Sequence, residues 1–430
     1  MILYFIVILS MPFLRHQFWD AEFAPGFTVT KMFGAAALLY ALVHLARRHG
    51  IPMYFATLQA KLMLVFFVIA TFSFASMGGK LIGIDLINPI YMYLSTLVFF
   101  FITMTVVDSL KRMYWSFMVA IGSVGFASLY MLREWQRGTA AWGDAYRPGW
   151  VVGDSNYFTI AALAVLPIAF ELVLVGRTGL QKIYAFGCML LTFGAVTVGA
   201  SRGGFLGIVL MVLYLIARSR NLLRNVLLVT IVTVPFLALA PNSPLNRFFH
   251  PQGGDTESVN KHLAGWQAGM NMVWKNPFTG IGFGNYKAMV TRYDTTGTVR
   301  SDPHVAHNAY LEIAAEMGIP AFLVYVSIFV AAFVSAEKTR RRALARGSEL
   351  IAAMAVGCQA SILGMAIGIF FVSGQYTRLL WFILCMTMVM PVLLPARVRV
   401  KKELPKAKPP RPEKETEENF KIGEALVELR

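Results

Sequence analysis

The feature that most limits how this chain can fold is a series of long apolar runs joined by polar segments, at about 2–14, 26–46, 60–78, 88–107, 114–132, 156–175, 183–200, 203–217, 224–240, 308–334, 350–373 and 376–395. Each run is continuous rather than alternating, so it reads as a helix and not as a strand of a barrel. Only helices and closed barrels satisfy the backbone in lipid. The chain is therefore expected to be an all-α integral membrane protein of about twelve transmembrane helices. Composition agrees, because 57% of the 430 residues are hydrophobic, against about 45–50% in soluble proteins. The first run has neither the basic start nor the cleavage site of a signal peptide and is read as a short, retained helix.

A net charge of +16 is first a statement about topology. The basic clusters at Arg47-Arg48, Lys111-Arg112, Arg177 to Lys182, Arg218 to Arg224, Lys338 to Arg346 and Arg397 to Lys402 follow alternate runs. All six lie in the cytoplasm if both termini do. No basic run interleaved with aromatics points to nucleic acid. Residues 1–396 form the membrane domain under this reading. The charged, Pro-rich tail at 397–430 is expected to be disordered and cytoplasmic. Cys188, Cys358 and Cys385 all fall inside apolar runs, which makes them packing residues.

Two segments on the outward side are long, at about 133–155 and 241–307. The second is the leading candidate for a site, because long non-helical segments usually carry function. Within it, Leu263, Trp266, Met270 and Val273 recur at helical spacing, predicting an amphipathic helix over Ser258–Lys275 with Lys261 and His262 near its start. Gly280, Gly282 and Gly284 lack the dinucleotide-binding spacing and predict a tight turn whose amides approach another group closely, a phosphate contact being left open.

The loop delivers His304 and His307 to a helix expected at Asn308–Val334, with Gly318 and Pro320 as the cause of a kink. Histidine takes up a proton near neutral pH, as activation of a hydroxyl requires, so His307 is the candidate base. His304 is given no role beyond shaping the entry to it. Arg202, in the turn Ser201-Arg202-Gly203-Gly204, either snorkels to lipid headgroups or grips an anion with its guanidinium fork. Asp154 and Asn156 stand where helix capping explains them without function. Neither the histidines nor Asp255, Asp294 and Asp302 have good metal-ligand spacing, and the site is expected to need no metal and no cofactor.

In order along the chain, Arg147 to Asn156 (R-x-x-G-x-x-x-D-x-N), Ser201 to Gly204, Trp266 followed by Asn276 to Asn285, and His307-Asn308-Ala309-Tyr310-Leu311-Glu312 with Glu316-Met317-Gly318 resemble the O-antigen ligase and polymerase superfamily over about 140–390. The resemblance implies glycosyl transfer from an undecaprenyl-pyrophosphate-linked glycan at the periplasmic face of the bacterial inner membrane, among membrane lipids, without metal or nucleotide sugar. It makes His307 the essential histidine and Arg202 the arginine of the short outer turn. Where the family often has an arginine four residues before the tryptophan, this chain has His262, with Lys261 beside it; either supplies the second pyrophosphate contact. Arg147, Asn156 and Tyr310, inside matching motifs, are expected to contact substrate.

The narrower expectation is a ligase whose acceptor is lipid A core or another glycan. A polymerase acting on the same donor is the alternative. A transporter or flippase of an anionic lipid-linked glycan is the reading from another class, and it calls for ionisable groups near mid-membrane, which are sparse here.

Overall fold

The computed structural model describes residues 1–394 except 14, 25–26, 48–52, 77–87, 143–145, 220, 222, 224–225, 228–229, 231–252 and 300–302. The expected span at 224–240, the start of the long loop and the tail lie outside or largely outside the described residues. Those that are described form helices α1 (Ile2–Ser10), α2 (Val29–Arg47), α3 (Leu58–Ser76), α4 (Asn88–Val106), α5 (Leu110–Trp142), α6 (Ser155–Val175), α7 (Gly179–Gly199) and α8 (Arg202–Ala217). After the long loop's first part come α9 (Gly253–Lys275), α10 (Tyr286–Tyr293), α11 (Ala309–Leu344), α12 (Glu349–Gly368) and α13 (Arg378–Leu393). One small antiparallel ribbon pairs β1 (Glu22–Ala24) with β2 (Phe27–Thr28).

Among the described residues seven helices, α2, α3, α5, α6, α7, α11 and α12, are long and apolar enough to cross a membrane. Met92–Val106 within α4, α8 and α13 are apolar but shorter. This is the architecture of a polytopic helical membrane protein. Eleven of the runs read from the sequence coincide with helices, yet α1, at 9 residues, is only about 13 Å long and falls short of the roughly 30 Å hydrocarbon core.

Local chemistry sets the helix starts. Asp154 accepts from the Asn156 amide to cap α6, Thr178 accepts from Gln181 at α7, Ser201 from Gly204 at α8, and Asn308 from Leu311 at α11. One set of ends is joined by ionic and polar contacts: His44 and Arg112 meet Asp108, Tyr114 bonds Gln181, and Arg218 meets Glu337 at 2.6 Å. These are the ends that carry the basic clusters. His307 and Arg202 open α11 and α8 at the other set.

The kink in α11 organises the loop. Gly318 has φ 83° and ψ 170°, which breaks the helix, and Pro320 has no N–H to give the Glu316 carbonyl. The loop supplies replacements. Ile281 N donates to Ala315 O at 2.9 Å, Gly282 N to Glu316 O at 3.0 Å, and Ile319 N turns outward to Pro277 O at 2.8 Å. Ser73 Oγ also reaches the Glu316 carbonyl, at 2.8 Å. The glycine turn forms as its sequence predicts, with φ 66°, 94° and 83° at Gly280, Gly282 and Gly284. Its close partner is protein backbone, since a Cβ on Gly280 would lie 2.2 Å from the Glu316 carbonyl. The Ile281 and Gly282 amides are thereby committed to the kink rather than to a phosphate.

Helix α9 packs mainly through its small residues, joined by Val273 of the predicted stripe. Ala264, Ala268, Met272 and Val273 are buried, whereas Leu263 is 54% and Met270 44% exposed. Small residues decide this, because they let α9 approach closely: a Cβ on Gly269 would meet Tyr286 and Leu311 at 2.8 and 2.9 Å. The result is a second small core under the loop, in which Ala264, Ala268 and Met272 join Ile281, Tyr286, Val290, Ala314 and Ala315.

Candidate functional site

Four short segments converge where α8 and α11 begin. The backbone from 304 to 309 is held from both sides: His304 Nε2 lies 3.3 Å from the Lys261 carbonyl, Trp266 Nε1 donates to Ala306 O at 2.9 Å, and Ala309 N donates to Ile369 O at 2.9 Å. Between these anchors His307 adopts φ 49°. The left-handed region costs a non-glycine residue about 1 kcal/mol or more. Among the described residues the only other non-glycine there is Ala200, also at φ 49°, in the turn that presents Arg202. Both strained positions thus flank one site.

The His307 ring meets the His262 ring edge to face at a centroid distance of 4.8 Å, and the His304 ring at 5.9 Å and 30°. Burial, then His262 and His304, pull His307 from its ordinary value of 6.5 to about 4, against an opposing pull from Asp154. Burial, then His304 and Arg202, likewise lower His262. Both imidazoles are neutral at pH 7, and burial makes His307 a weaker base than a free imidazole in the absence of substrate. The ring contact of His262 with His307 and the reach of the Arg202 charge to His262 put three of the sequence-derived candidates, Arg202, His262 and His307, in one cluster.

The other candidates sit at its margins. Lys261 lines an open depression with Asn260, Gln267, Thr296 and Thr298. Arg147 ties two helix ends together: its Nε donates to Gly199 O at 3.0 Å, and its terminal nitrogen donates to Ser155 Oγ at 2.7 Å and Asn156 Oδ1 at 3.3 Å. Tyr310 packs against Phe322, Tyr325 and Phe370 and gives its hydroxyl to Ala366 O at 2.9 Å. Asp154 both caps α6 and faces the histidines. Among the described residues no three His, Cys, Asp or Glu side chains gather in a way that could hold a metal ion.

Sequence reasoning passed over the acids that brace this arrangement. Glu312 and Glu316 are 4% and 3% exposed. Glu312 accepts from Ser373 Oγ and, at 2.7 Å, from Gln375 Nε2, so it locks the α12–α13 connection against the first turn of α11. Glu316 Oε1 accepts from Tyr286 N at 2.9 Å and caps α10, where Asn285 makes no side-chain cap. Glu134 receives the Gly149 and Trp150 amides and the Tyr146 hydroxyl, anchoring the first outer segment. Their signal was available: a carboxylate in an apolar helix is costly unless bonded.

Fold and site together define a class, a polytopic helical membrane protein with a strained histidine and an arginine turn at one end of its bundle. Residues 187–326 match the family described as O-Antigen ligase, which supports a place in that superfamily. The matched stretch contains Arg202, α9, the glycine turn, His307 and the α11 kink. The match supports a ligase- or polymerase-like glycosyltransferase role in a bacterial membrane, with lipid-linked glycans as the substrate class. The chain matches no curated protein.

Proposed function

We propose that the protein transfers a saccharide from undecaprenyl pyrophosphate to an acceptor hydroxyl, of lipid A core or another glycan, on the periplasmic face of the inner membrane. The observation that carries this reading is His307, neutral and strained, with its neighbours Ala306 and Ala309 anchored by Trp266 and Ile369. His307 takes the proton from the acceptor hydroxyl as that oxygen forms its bond to the anomeric carbon. The bond from the anomeric carbon to the pyrophosphate oxygen breaks, and its electron pair leaves on the phosphate. One displacement of this kind inverts the anomeric centre. Neither a metal nor a cofactor enters the scheme.

Arg202 stabilises the departing pyrophosphate with its fork. His262, beside His307, gains a proton more readily once that anion is bound, since a nearby negative charge favours the imidazolium. Lys261 adds a fixed charge at the rim. Arg147, Asn156 and Tyr310 are the saccharide contacts: Arg147 is set in place by its bonds to Gly199 and Ser155, Asn156 by accepting from Arg147, and Tyr310 by its bond to Ala366.

The test is transfer by purified protein from a defined undecaprenyl-pyrophosphate glycan, with lipid A core and a second donor molecule in competition. Product on lipid A core supports the ligase; lengthening of the second donor's glycan moves the assignment to polymerase. His307→Ala is expected to lower the rate by about 10²–10⁴. Arg202→Ala is expected to lower it by about 10²–10³. Full activity of His307→Ala removes the proposed mechanism.

A further inference from the structure

A second cavity lies near the cluster, at the same end of the bundle, and has a composition of its own. Its volume is about 360 Å³, within the range of small-molecule sites, and it lies where the segment after α1, the first outer segment, α4, α6 and the start of α13 meet. Two arginines, Arg15 and Arg378, are among its lining residues, and no Asp or Glu is among the described ones. Two arginines on one cavity favour an anionic occupant.

The rest of the wall narrows the chemistry. Met11, Met92 and Leu379 give it an apolar side, while Ser95 and Thr377 add hydroxyls. Thr377 begins α13 without spending its hydroxyl on a cap. The Arg15 guanidinium stands 4.9 Å over the Trp150 ring, and Trp150 is 66% exposed. Stacking occupies the face of the guanidinium and leaves its edge donors directed sideways. Arg15 N also donates to Val151 O at 3.0 Å, fixing the arginine's segment to the first outer segment.

The cavity and the histidine cluster share walls. Gly153 lines the one and Asp154 faces the other; Ser373 lines the one and bonds Glu312, which sits on the first turn of α11. Tyr157, which also lines the cavity, donates its hydroxyl to Ser373 O at 3.0 Å. Arg202, His262 and His307 are not among the lining residues, so the two places are distinct.

We propose that this cavity binds a phosphate-bearing amphiphile, its phosphate between Arg15 and Arg378 and its first methylenes against Met11, Met92 and Leu379. Phosphate oxygens match the guanidinium edges. The apolar side favours a lipid over a free anion, because each buried methylene adds to binding. The proposal concerns binding alone and stands whether or not the protein proves to be a glycosyltransferase.

The experiment is ligand binding to the purified full-length protein in detergent, read by native mass spectrometry and by thermal shift. Short-chain phosphatidylglycerol is compared with diacylglycerol of the same chain length and with inorganic phosphate. Phosphatidylglycerol is expected to bind and raise the melting temperature, with diacylglycerol and phosphate each at least about tenfold weaker. Arg15→Gln and Arg378→Gln are each expected to weaken phosphatidylglycerol about tenfold, with Arg378→Lys in between. Ser95→Trp, which fills the space and leaves both arginines, is expected to abolish binding. Should Arg378→Gln fail to fold, the exposed Arg15→Gln and the filled cavity decide. Wild-type affinity in both of those variants overturns the site; equal binding of phosphate and phosphatidylglycerol overturns the amphiphile, and equal binding of diacylglycerol overturns the phosphate contact.

Discussion

Replacing His262 by Asn tests how the site keeps its base neutral. In the wild type the His307 value near 4 rests on burial first and on His262 and His304 next. Removing His262 takes away a like charge, so the His307 value moves up, while burial still holds it below 6.5. The consequence is sharpest in mildly acidic solution. With a value near 4, about 97% of His307 is the neutral base at pH 5.5, whereas a histidine at 6.5 would be only about 9% neutral. Wild-type kcat/KM for glycosyl transfer should therefore hold its plateau down to about pH 5, and His262→Asn should lose part of it there. The same titration is read directly in ring-carbon-labelled histidine spectra of the protein without substrate. The linked stability has a definite sign: between 6.5 and about 4 the unfolded chain binds the extra proton, so the stabilisation present above 6.5 is lost as pH falls through that window. Donor binding should raise the His307 value, because the pyrophosphate stabilises the imidazolium. An acid limb at pH 6 or above in the wild type, or one that His262→Asn leaves in place, refutes the reasoning.

Other substitutions separate positioning from folding. Gly318→Ala puts a Cβ 2.4 Å from Phe278 O at φ 83°, and should destabilise the protein by about 3 kcal/mol or more, seen as a lower melting temperature. Trp266→Phe keeps an aromatic ring beside Phe370 but loses the bond to Ala306 O; the expected cost is about 1–3 kcal/mol of stability and, through a displaced His307, roughly 10–100-fold in kcat, measured against an unchanged circular-dichroism spectrum. Arg202→Lys retains charge without the fork, so its donor affinity should lie between those of wild type and Arg202→Ala; equal affinity in all three would dismiss the phosphate contact.

Much of the molecule could be read before it was seen folded. Continuous apolar runs became helices, because burying such a run in lipid leaves the helix as the way to pair its backbone. Asp154 capped its helix, Gly318 and Pro320 broke α11, and Gly280 to Gly284 formed their turn, since each depends on chemistry within a few residues. The motifs around Arg202 and His307 were also legible, and the family match covers both. Short-range pattern marked the apolar stripe of α9 at Leu263, Trp266, Met270 and Val273 but not the small Ala264 and Ala268, whose size allows the close approach while Leu263 and Met270 stay exposed.

Tertiary structure alone decided which distant groups would answer one another. The sequence announces that Pro320 leaves the Glu316 carbonyl without a donor, but not that Gly282 and Ser73 would supply one from 34 residues before and 243 residues before respectively. It contains three histidines between 262 and 307, but not the edge contact of His262 with His307 or the burial that keeps His307 neutral. The physical reason is range. Helix formation and capping are settled by neighbours along the chain, whereas a hydrogen-bond partner or a shifted pKa depends on which surfaces the whole bundle brings together.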